Sequence, residues 1–333
     1  MSPIAQPLER LCIVTPAHSS LVTGGSEYQI DCFLEALIPL RRYEIYYLTS
    51  MVRADPQIDS YRILRIGSQA HAPRFGYLTY AAPLYRTLLA LRPNVIYQRV
   101  ACGYSGVAAH YARRHGARFV WHVAHDSDVD PDGSLDGRNP VRRYLEKRSV
   151  EYAIRRASCI VTQTSHQAQL LERHYQRTAD AVIPNFQPAP QEKPDKSGPL
   201  TVAWVASLKR WKQPEAFLRL AGVLSDLAGV RFAMVGPHAA GPREHGWMSS
   251  LLSRIEATPN VDYLGARSQA EVNELLARAH LFVNTSLHEG FPNTFIQAWA
   301  REAAVVSLHV NPDGLLDEGE VGVFCHGSEQ RLA

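Results

Sequence analysis

Short apolar segments alternate with amphipathic ones along the chain, and the alternation occurs twice. In the first half the strand-like segments are RLCIVTPA, YEIYYLTS, NVIYQRV, RFVWHVAH and ASCIVTQT. In the second half they are LTVAWVAS, VRFAMVGP, VDYLG, HLFVNTS and AVVSL. Strands that alternate with helices are typical of a parallel sheet with helices on both faces. The sequence therefore predicts an α/β protein with doubly wound, Rossmann-like sheets.

One proline-rich segment separates the two halves. Residues 185–199, NFQPAPQEKPDKSGP, contain four prolines and few apolar side chains. We therefore predict an N-terminal domain over residues 1–184, a linker over 185–199 and a C-terminal domain over 200–333. A length of 333 residues suits two domains. Two doubly wound domains are expected to face a central cleft and to bind ligands there, at the carboxyl ends of their strands.

Composition favours a globular protein, with 46% hydrophobic and 20% charged residues. No apolar run reaches the roughly 20 residues that span a bilayer. The N-terminus has acidic Glu9 and no basic region before an apolar stretch, so we do not predict a secretory signal. The five cysteines share no metal-ligand spacing and are interpreted as reduced thiols. We expect a cytoplasmic protein.

Charge is distributed unevenly along the chain. Residues 1–198 hold 24 lysines and arginines against 18 acidic residues, whereas residues 199–333 hold 11 against 14. The densest basic stretch is 138–156, RNPVRRYLEKRSVEYAIRR. The favoured interpretation is a solvated helix face on which Glu146 and Glu151 are interleaved with the cations. The other is contact with an anionic acceptor or with the inner membrane, which would make the protein peripheral to that membrane.

A glycine loop follows the first strand, in TPAHSSLVTGGSEYQ. Gly24 and Gly25 precede Ser26, which suits the start of a helix. Glycines allow a ligand to approach the backbone, and a helix N-terminus offers amides to an anion. The pattern is not G-x-G-x-x-G, so a nicotinamide enzyme is disfavoured. A simple turn is the alternative.

Two histidines lie near the end of the strand in RFVWHVAHDSDVD. Alternation places His122 and His125 on opposite sides. We predict that His125, nearer the carboxyl end, faces the ligand and that His122 is packed. The acidic DSD at 126–128 has two interpretations, a solvated loop or a metal-binding motif, and the first is favoured.

Three cations follow a strand in WVASLKRWKQP, namely Lys209, Arg210 and Lys212. Their position at the carboxyl end of a strand suits neutralisation of a leaving pyrophosphate. A solvated loop of charges remains the alternative.

The segment HEGFPNTFIQAWA places Glu289 on a Gly-Phe-Pro turn before an apolar helix, with Gln297 eight residues later. With its flanking strands it resembles the donor-site signature of the retaining glycosyltransferases of family four, which have the GT-B fold. GGSE, HVAHDSD, VIPNF, FAMVGP and NVDYLG resemble further elements of that family in the same order. The resemblance covers about residues 11–325.

The resemblance implies transfer of a hexose from a UDP- or GDP-sugar to an acceptor hydroxyl, with retention of configuration and without a metal or cofactor. The acceptor would be a carbohydrate or a lipid-linked sugar, in polysaccharide or glycolipid assembly, and no nucleic acid is implied. The implied catalytic residues are His125, Glu289 and Lys212. The implied donor-binding residues are Gly24, Gly25, Lys209, Arg210, Gly236, Arg267, Phe291, Pro292, Asn293, Thr294 and Gln297. We place no second carboxylate opposite Glu289, so the sequence favours front-face substitution over double displacement.

Four features depart from the family pattern. Ser207 stands where the family has an arginine, Gln297 replaces the second acid, and Glu302 replaces a small residue after the helix. The chain stops at HGSEQRLA where the family continues, so we expect a truncated or unusually short protein. Two alternatives therefore stay open: an inactive relative that only binds nucleotide-sugar, and a GT-B nucleotide-sugar epimerase.

Overall fold

The computed structural model describes residues 8–21, 24–53, 56, 58–67, 79–131, 140–238, 245–317 and 319–333. The chain divides into two compact units, Met1–Asn185 and Phe186–Ala333. Residues 185–199, predicted as a linker, contain no helix or strand. The first seven residues, on which part of the signal-peptide prediction depends, lie outside the described residues.

Unit 1 is built on a parallel sheet with the order β3-β2-β1-β4-β5-β6-β7. Its strands are β1 (Glu9–Val14), β2 (Tyr43–Thr49), β3 (Arg62–Arg65), β4 (Val95–Gln98), β5 (Arg118–His122), β6 (Cys159–Thr162) and β7 (Ala181–Val182). Its helices are α1 (Gly25–Leu37), α2 (Ala81–Leu91), α3 (Gly103–His115), α4 (Pro140–Arg156) and α5 (Ser165–Tyr175). The strand numbers fall from β3 to β1 and then rise from β4 to β7, so the direction in which the chain adds strands to the sheet reverses between β1 and β4.

Both faces of this sheet are covered, as a continuous apolar strand requires. On β1, Cys12 and Val14 belong to one buried cluster, whereas Leu11 and Ile13 belong to a second one. Successive side chains of a strand point to opposite faces, so each cluster marks one face. The α/β prediction is therefore confirmed for unit 1.

Unit 2 repeats the architecture with the sheet order β10-β9-β8-β11-β12-β13. Its strands are β8 (Leu200–Val205), β9 (Val230–Val235), β10 (Val261–Gly265), β11 (Leu281–Asn284), β12 (Ala304–Ser307) and β13 (Gly322–Phe324). Its helices are α6 (Pro214–Val223), α7 (His245–Glu256), α8 (Gln269–Arg278), α9 (Asn293–Trp299) and α10 (Glu329–Leu332). All its strand pairs are parallel. The order reverses between β8 and β11, so the loops that follow these two strands start side by side.

The end of α9 shows which backbone conformation Glu302 adopts at the position where the family pattern has a small residue. Glu302 has a φ of 56°, in the left-handed region. Its amide donates to the carbonyl of Trp299, and the amide of Ala303 donates to that of Ala298. The backbone therefore closes the helix in a conformation that glycine adopts most easily.

Replacement of Glu302 by glycine is expected to stabilise the protein by about 0.5–1 kcal/mol. Relief of left-handed strain at a side chain outweighs the extra freedom that glycine gives the unfolded chain. Urea denaturation followed by tryptophan fluorescence measures the change. Glu302→Ala is the control, because alanine keeps the strain and removes only the charge. An equal gain from both variants would contradict the backbone explanation.

Among the described residues, no helix is both long and apolar enough to cross a membrane.

Candidate functional site

The candidate site in unit 2 lies where the strand order reverses, which is where open α/β sheets bind ligands. Three hydrogen bonds involve β8, the loop after it and the loop after β11. Trp204 Nε1 donates to Thr285 Oγ1 at 2.9 Å, and Thr285 Oγ1 donates to the carbonyl of Lys212 at 2.7 Å. The amide of Leu287 donates to the carbonyl of Trp211 at 2.9 Å. Residues from both loops are thereby brought together.

Lys212 and Glu289 form an ion pair at this position. Lys212 Nζ donates to Glu289 Oε1, and Ser286 Oγ donates to the same oxygen at 2.9 Å. The two charged side chains are only 15% and 14% exposed. Burial lowers the pKa of Lys212, the nearby Lys209 lowers it further, and Glu289 opposes both effects. The pair thus offers a cation for phosphate oxygens beside a carboxylate that can accept from hydroxyl groups.

The other two cations of this loop are exposed. Lys209 Nζ lies 5.9 Å from the ring centre of Trp211, and the Arg210 guanidinium lies 5.0 Å from that of Trp247. Ser207, in the same loop, adds no charge. The three predicted cations are therefore held on one loop, and two of them are close to aromatic rings.

An aromatic pair, which the sequence did not suggest, borders the ion pair. The rings of Trp211 and His288 stack with centroids 5.1 Å apart and planes 13° apart. Lys212 Nζ lies 4.0 Å from the ring centre of Trp211. The only sequence signal for this arrangement is a tryptophan between two cations, in RWK.

Gly236 follows β9 and lies against the loop after β8. A Cβ at this position would overlap the carbonyl oxygen of Ala206. The amide of Gly236 donates to the carbonyl of Gly265 at 2.9 Å. Close approach of the backbone therefore requires glycine here. Arg267, by contrast, is exposed and pairs with Glu271 at 3.6 Å.

Gln297 lies inside α9 and is 2% exposed. Its Nε2 donates to Gln269 Oε1 at 2.8 Å and to Asn273 Oδ1 at 3.2 Å, both on α8. No local sequence pattern indicated these two partners. The N-cap of α9 is Pro292, whose side chain cannot accept a hydrogen bond from the first amides of the helix. The preceding residue, Phe291, is buried. Asn293 and Thr294 are the first two residues of the helix.

The glycine loop and the two histidines belong to unit 1. Gly24 is the N-cap of α1 and Gly25 its first residue, and the Glu27 carboxylate fills the space that a Cβ on Gly24 would need. His125 is exposed, whereas His122 is only 6% exposed.

His122 contacts two buried side chains. The Tyr97 hydroxyl and Arg99 Nη1 lie 2.9 Å and 3.0 Å from its Nδ1. Burial first and Arg99 second hold the pKa of His122 well below its ordinary value, so its ring is neutral near pH 7. His122 is therefore a packed, uncharged residue.

The carboxylates of the DSD sequence are used within the loop. Asp128 Oδ2 accepts from the amides of Ala124 and His125, and Asp126 Oδ1 accepts from Gln167 Nε2 at 3.0 Å. In the part of the chain that the structure describes, no three His, Cys, Asp or Glu side chains are grouped to hold a metal ion.

The basic stretch forms α4, although residues 138–139 lie outside the described residues. Arg142 pairs with Glu146 at 3.2 Å, and Arg148 pairs with Glu151 at 3.1 Å. The cations and acids are thus interleaved along the helix. Three large apolar side chains of α4 are also exposed: Val141, Tyr144 and Leu145.

Asp31 lies on α1 in unit 1, and its side chain is partly buried. It accepts a hydrogen bond from Ser19 Oγ at 3.0 Å. Burial raises its pKa to about 6, with a smaller contribution from Glu35, against the opposing effect of Ser19. Ionised Asp31 therefore destabilises the folded state near neutral pH.

Asp31→Asn is expected to stabilise the protein by about 1 kcal/mol at pH 7.5, after allowance for partial exposure. The folded carboxyl keeps its proton up to about pH 6, whereas an unfolded one loses it near 3.9. Raising the pH between these values costs the folded wild type stability. The advantage of the variant should shrink as the pH falls from 7.5 to 5. Urea denaturation at several pH values measures it, with exposed Asp226→Asn as control, and a difference that does not change with pH would contradict the assignment.

Solved structures with the same architecture show which fold this chain has. HepE from Anabaena, in complex with UDP and glucose, is 17% identical, with a TM-score of 0.72 over 98% of this chain and 88% of that one. Sucrose-phosphate synthase from Thermosynechococcus elongatus is 15% identical, with a TM-score of 0.75 over 97% and 88%. The predicted GT-B fold is therefore confirmed.

Two family models together match most of the chain. The glycosyl transferase 4-like domain matches residues 34–185, and glycosyl transferases group 1 matches residues 199–333. The chain belongs to the group 1 glycosyltransferases, as the sequence resemblance predicted. It is also 26% identical over 272 residues to one of the subunits of phosphatidylinositol N-acetylglucosaminyltransferase of Homo sapiens, covering 76% of this chain. The chain spans about half the length of that curated relative, 54%.

Proposed function

We propose that this protein transfers a hexose from a nucleotide diphosphate sugar, UDP- or GDP-linked, to an acceptor hydroxyl. The observation that carries the proposal is the largely buried Lys212–Glu289 pair at the point where the sheet order of unit 2 reverses. Family membership supports the type of reaction. The structural neighbour HepE, solved in complex with UDP-glucose, supports a nucleotide-sugar donor.

In this reaction Lys212 neutralises the leaving diphosphate, and Glu289 accepts hydrogen bonds from hydroxyls of the donor sugar. Lys209 and Arg210 add positive charge in place of the arginine that Ser207 replaces. Backbone amides around Phe291–Thr294 contact the diphosphate. Gln297 contacts the ribose through its Oε1, because its Nε2 already donates to Gln269 and Asn273. These cations take the place that a metal ion has in other transferases, so we infer a reaction that needs no metal.

We infer retention of configuration by front-face substitution. Within the described residues, the side chains that donate hydrogen bonds to Glu289 are those of Lys212 and Ser286. Neither is a carboxylate that would form a covalent ester with the sugar. The leaving diphosphate then assists removal of the acceptor proton.

Nucleotide binding is tested by a thermal-shift screen against UDP, GDP and ADP. A ligand at 100 times its dissociation constant stabilises a protein by about 2.7 kcal/mol, so one of the three should raise Tm clearly. The corresponding radiolabelled donor is then incubated without acceptor. Slow release of free sugar supports a transferase. An isomeric sugar product would identify an epimerase, and nucleotide binding without any release would identify an inactive relative.

We propose an acceptor that is a carbohydrate or a lipid-linked sugar, in polysaccharide or glycolipid assembly. The support is α4, on which clustered cations lie beside exposed Val141, Tyr144 and Leu145. Basic and apolar groups together favour the surface of an anionic membrane. The name of the human relative, which refers to phosphatidylinositol, agrees with this class of acceptor.

Liposome sedimentation tests the membrane contact. The protein should sediment with vesicles that contain anionic lipid, and less with neutral vesicles. Replacing Tyr144 and Leu145 by serine should reduce sedimentation, whereas serine at exposed Val223 of α6, in unit 2, should not. Equal binding to both vesicle types, or binding to neither, would overturn this part of the proposal.

A further inference from the structure

Trp211 contacts a residue of the proposed donor site without belonging to the family signature. Its ring lies 4.0 Å from Lys212 Nζ and stacks on His288, the residue next to Glu289. We propose that Trp211 is a positioning residue, which holds the ammonium group of Lys212 between Glu289 and the diphosphate of the donor. This inference rests on the proposed function, because it concerns how the same site receives its donor.

The backbone fixes where the indole can lie. The carbonyl of Trp211 accepts from the amide of Leu287, and the carbonyl of Lys212 accepts from Thr285 Oγ1. Both acceptors are therefore tied to the loop that carries Glu289. The stacked ring of His288 holds the indole from the same loop. Trp211 thus keeps a constant position relative to Glu289.

The side chain of Lys212 needs such a support because its four-carbon stem is flexible and its charge is largely removed from water. Two neighbours stabilise the ammonium group: the carboxylate of Glu289 and the electron-rich face of the indole. When a donor binds, Glu289 must accept hydrogen bonds from the sugar, and Lys212 must contact the diphosphate. The carboxylate partner is then exchanged for a phosphate partner, while the indole remains in place. Lys212 keeps one favourable contact throughout the exchange.

A second ammonium group supports this role. Lys209 Nζ lies 5.9 Å from the centre of the same ring. Two like charges repel each other, so bringing both to one loop is unfavourable without a compensating group. The indole attracts both cations. Two cations beside one ring suit a ligand with two adjacent phosphate groups.

A double-mutant cycle on nucleotide binding tests the proposal. The probe is whichever of UDP, GDP and ADP the thermal-shift screen identifies, and its Kd is measured by calorimetry for wild type, Trp211→Leu, Lys212→Ala and the double variant. We expect Trp211→Leu to raise the Kd about tenfold in the wild-type background and to have little effect in the Lys212→Ala background. Trp211→Phe should restore most of the affinity, because it keeps an aromatic face. Phe324→Leu is the matched control. Phe324 also lies against a histidine, with its ring centroid 4.3 Å from that of His326, but it belongs to β13. The Kd of the Phe324→Leu variant should equal that of wild type.

The possible outcomes separate the two proposals. If the wild type binds the nucleotide and Trp211→Leu binds it equally well, Trp211 has no positioning role, whereas the proposed function stands. The same holds if Trp211→Leu weakens binding equally with and without Lys212, because a merely structural effect is additive. If the wild type binds none of the three nucleotides, the proposed function fails and this inference fails with it. Trp211→Met gives the same comparison if the leucine variant does not fold, because methionine also removes the aromatic face.

Discussion

Glu289→Ala is expected to lower kcat/KM for sugar transfer by at least about a hundredfold, the usual loss when a preorganised charged or hydrogen-bonding group is removed from the reacting centre. The variant removes the acceptor for the donor-sugar hydroxyls. It also leaves Lys212 without the carboxylate that opposes the fall of its pKa. Steady-state kinetics with the donor identified above measure the loss, and circular dichroism checks the fold.

A second ion pair in unit 2 provides the control for this experiment. Arg219 Nη2 and Glu329 Oε1 lie 2.5 Å apart, with both side chains nearly half exposed. Arg219 and Glu329 form a bidentate pair with each other that does not include Lys212 or Glu289, so Glu329→Ala should leave kcat/KM close to that of wild type. Full transfer activity in Glu289→Ala would remove Glu289 from the proposed site.

Gly236→Ala is expected to destabilise unit 2 by more than about 2 kcal/mol, because a side chain placed against fixed backbone forces the strand ends apart. The added Cβ would overlap the carbonyl oxygen of Ala206, and a backbone atom cannot rotate away as a flexible side chain can. The loop that carries Lys212 follows Ala206 directly. Nucleotide affinity should therefore fall together with stability, which urea denaturation and calorimetry measure separately.

Gly222→Ala is the matched control for the glycine experiment. Gly222 lies in α6, and a Cβ there would meet nothing within 4 Å. Alanine is preferred over glycine inside a helix by about 1 kcal/mol, so this variant should be slightly more stable than wild type. Similar losses in both variants would show that the close approach at Gly236 is not the cause.

Elements of the site differ in how far the sequence predicts them. Glu289, Lys212 and Gln297 are found because they fall within local motifs that resemble those of a family. Trp211, Ser286, Gln269 and Asn273 have no such motif, and their positions become evident only in the folded chain. The roles assigned to all these residues remain predictions until the variants are measured.

The α/β class and the family could be predicted from the sequence alone. These properties depend on periodicity and composition within short segments, which a linear pattern contains. Weaker local patterns were missed, as for the short strands β3, β7 and β13. Their apolar periodicity is brief, and their stability comes from packing on the sheet.

Only the tertiary structure decided which side chains meet. Lys212 and Glu289 are 77 residues apart in the chain, and they pair because β8 and β11 are neighbours in the sheet where its order reverses. Gln297 and Gln269 are 28 residues apart, and they meet because α9 lies beside α8. The left-handed backbone at Glu302 likewise follows from how α9 must end before β12. Strand order and helix packing result from burial of apolar surface across the whole unit, a non-directional driving force that no short segment of sequence contains.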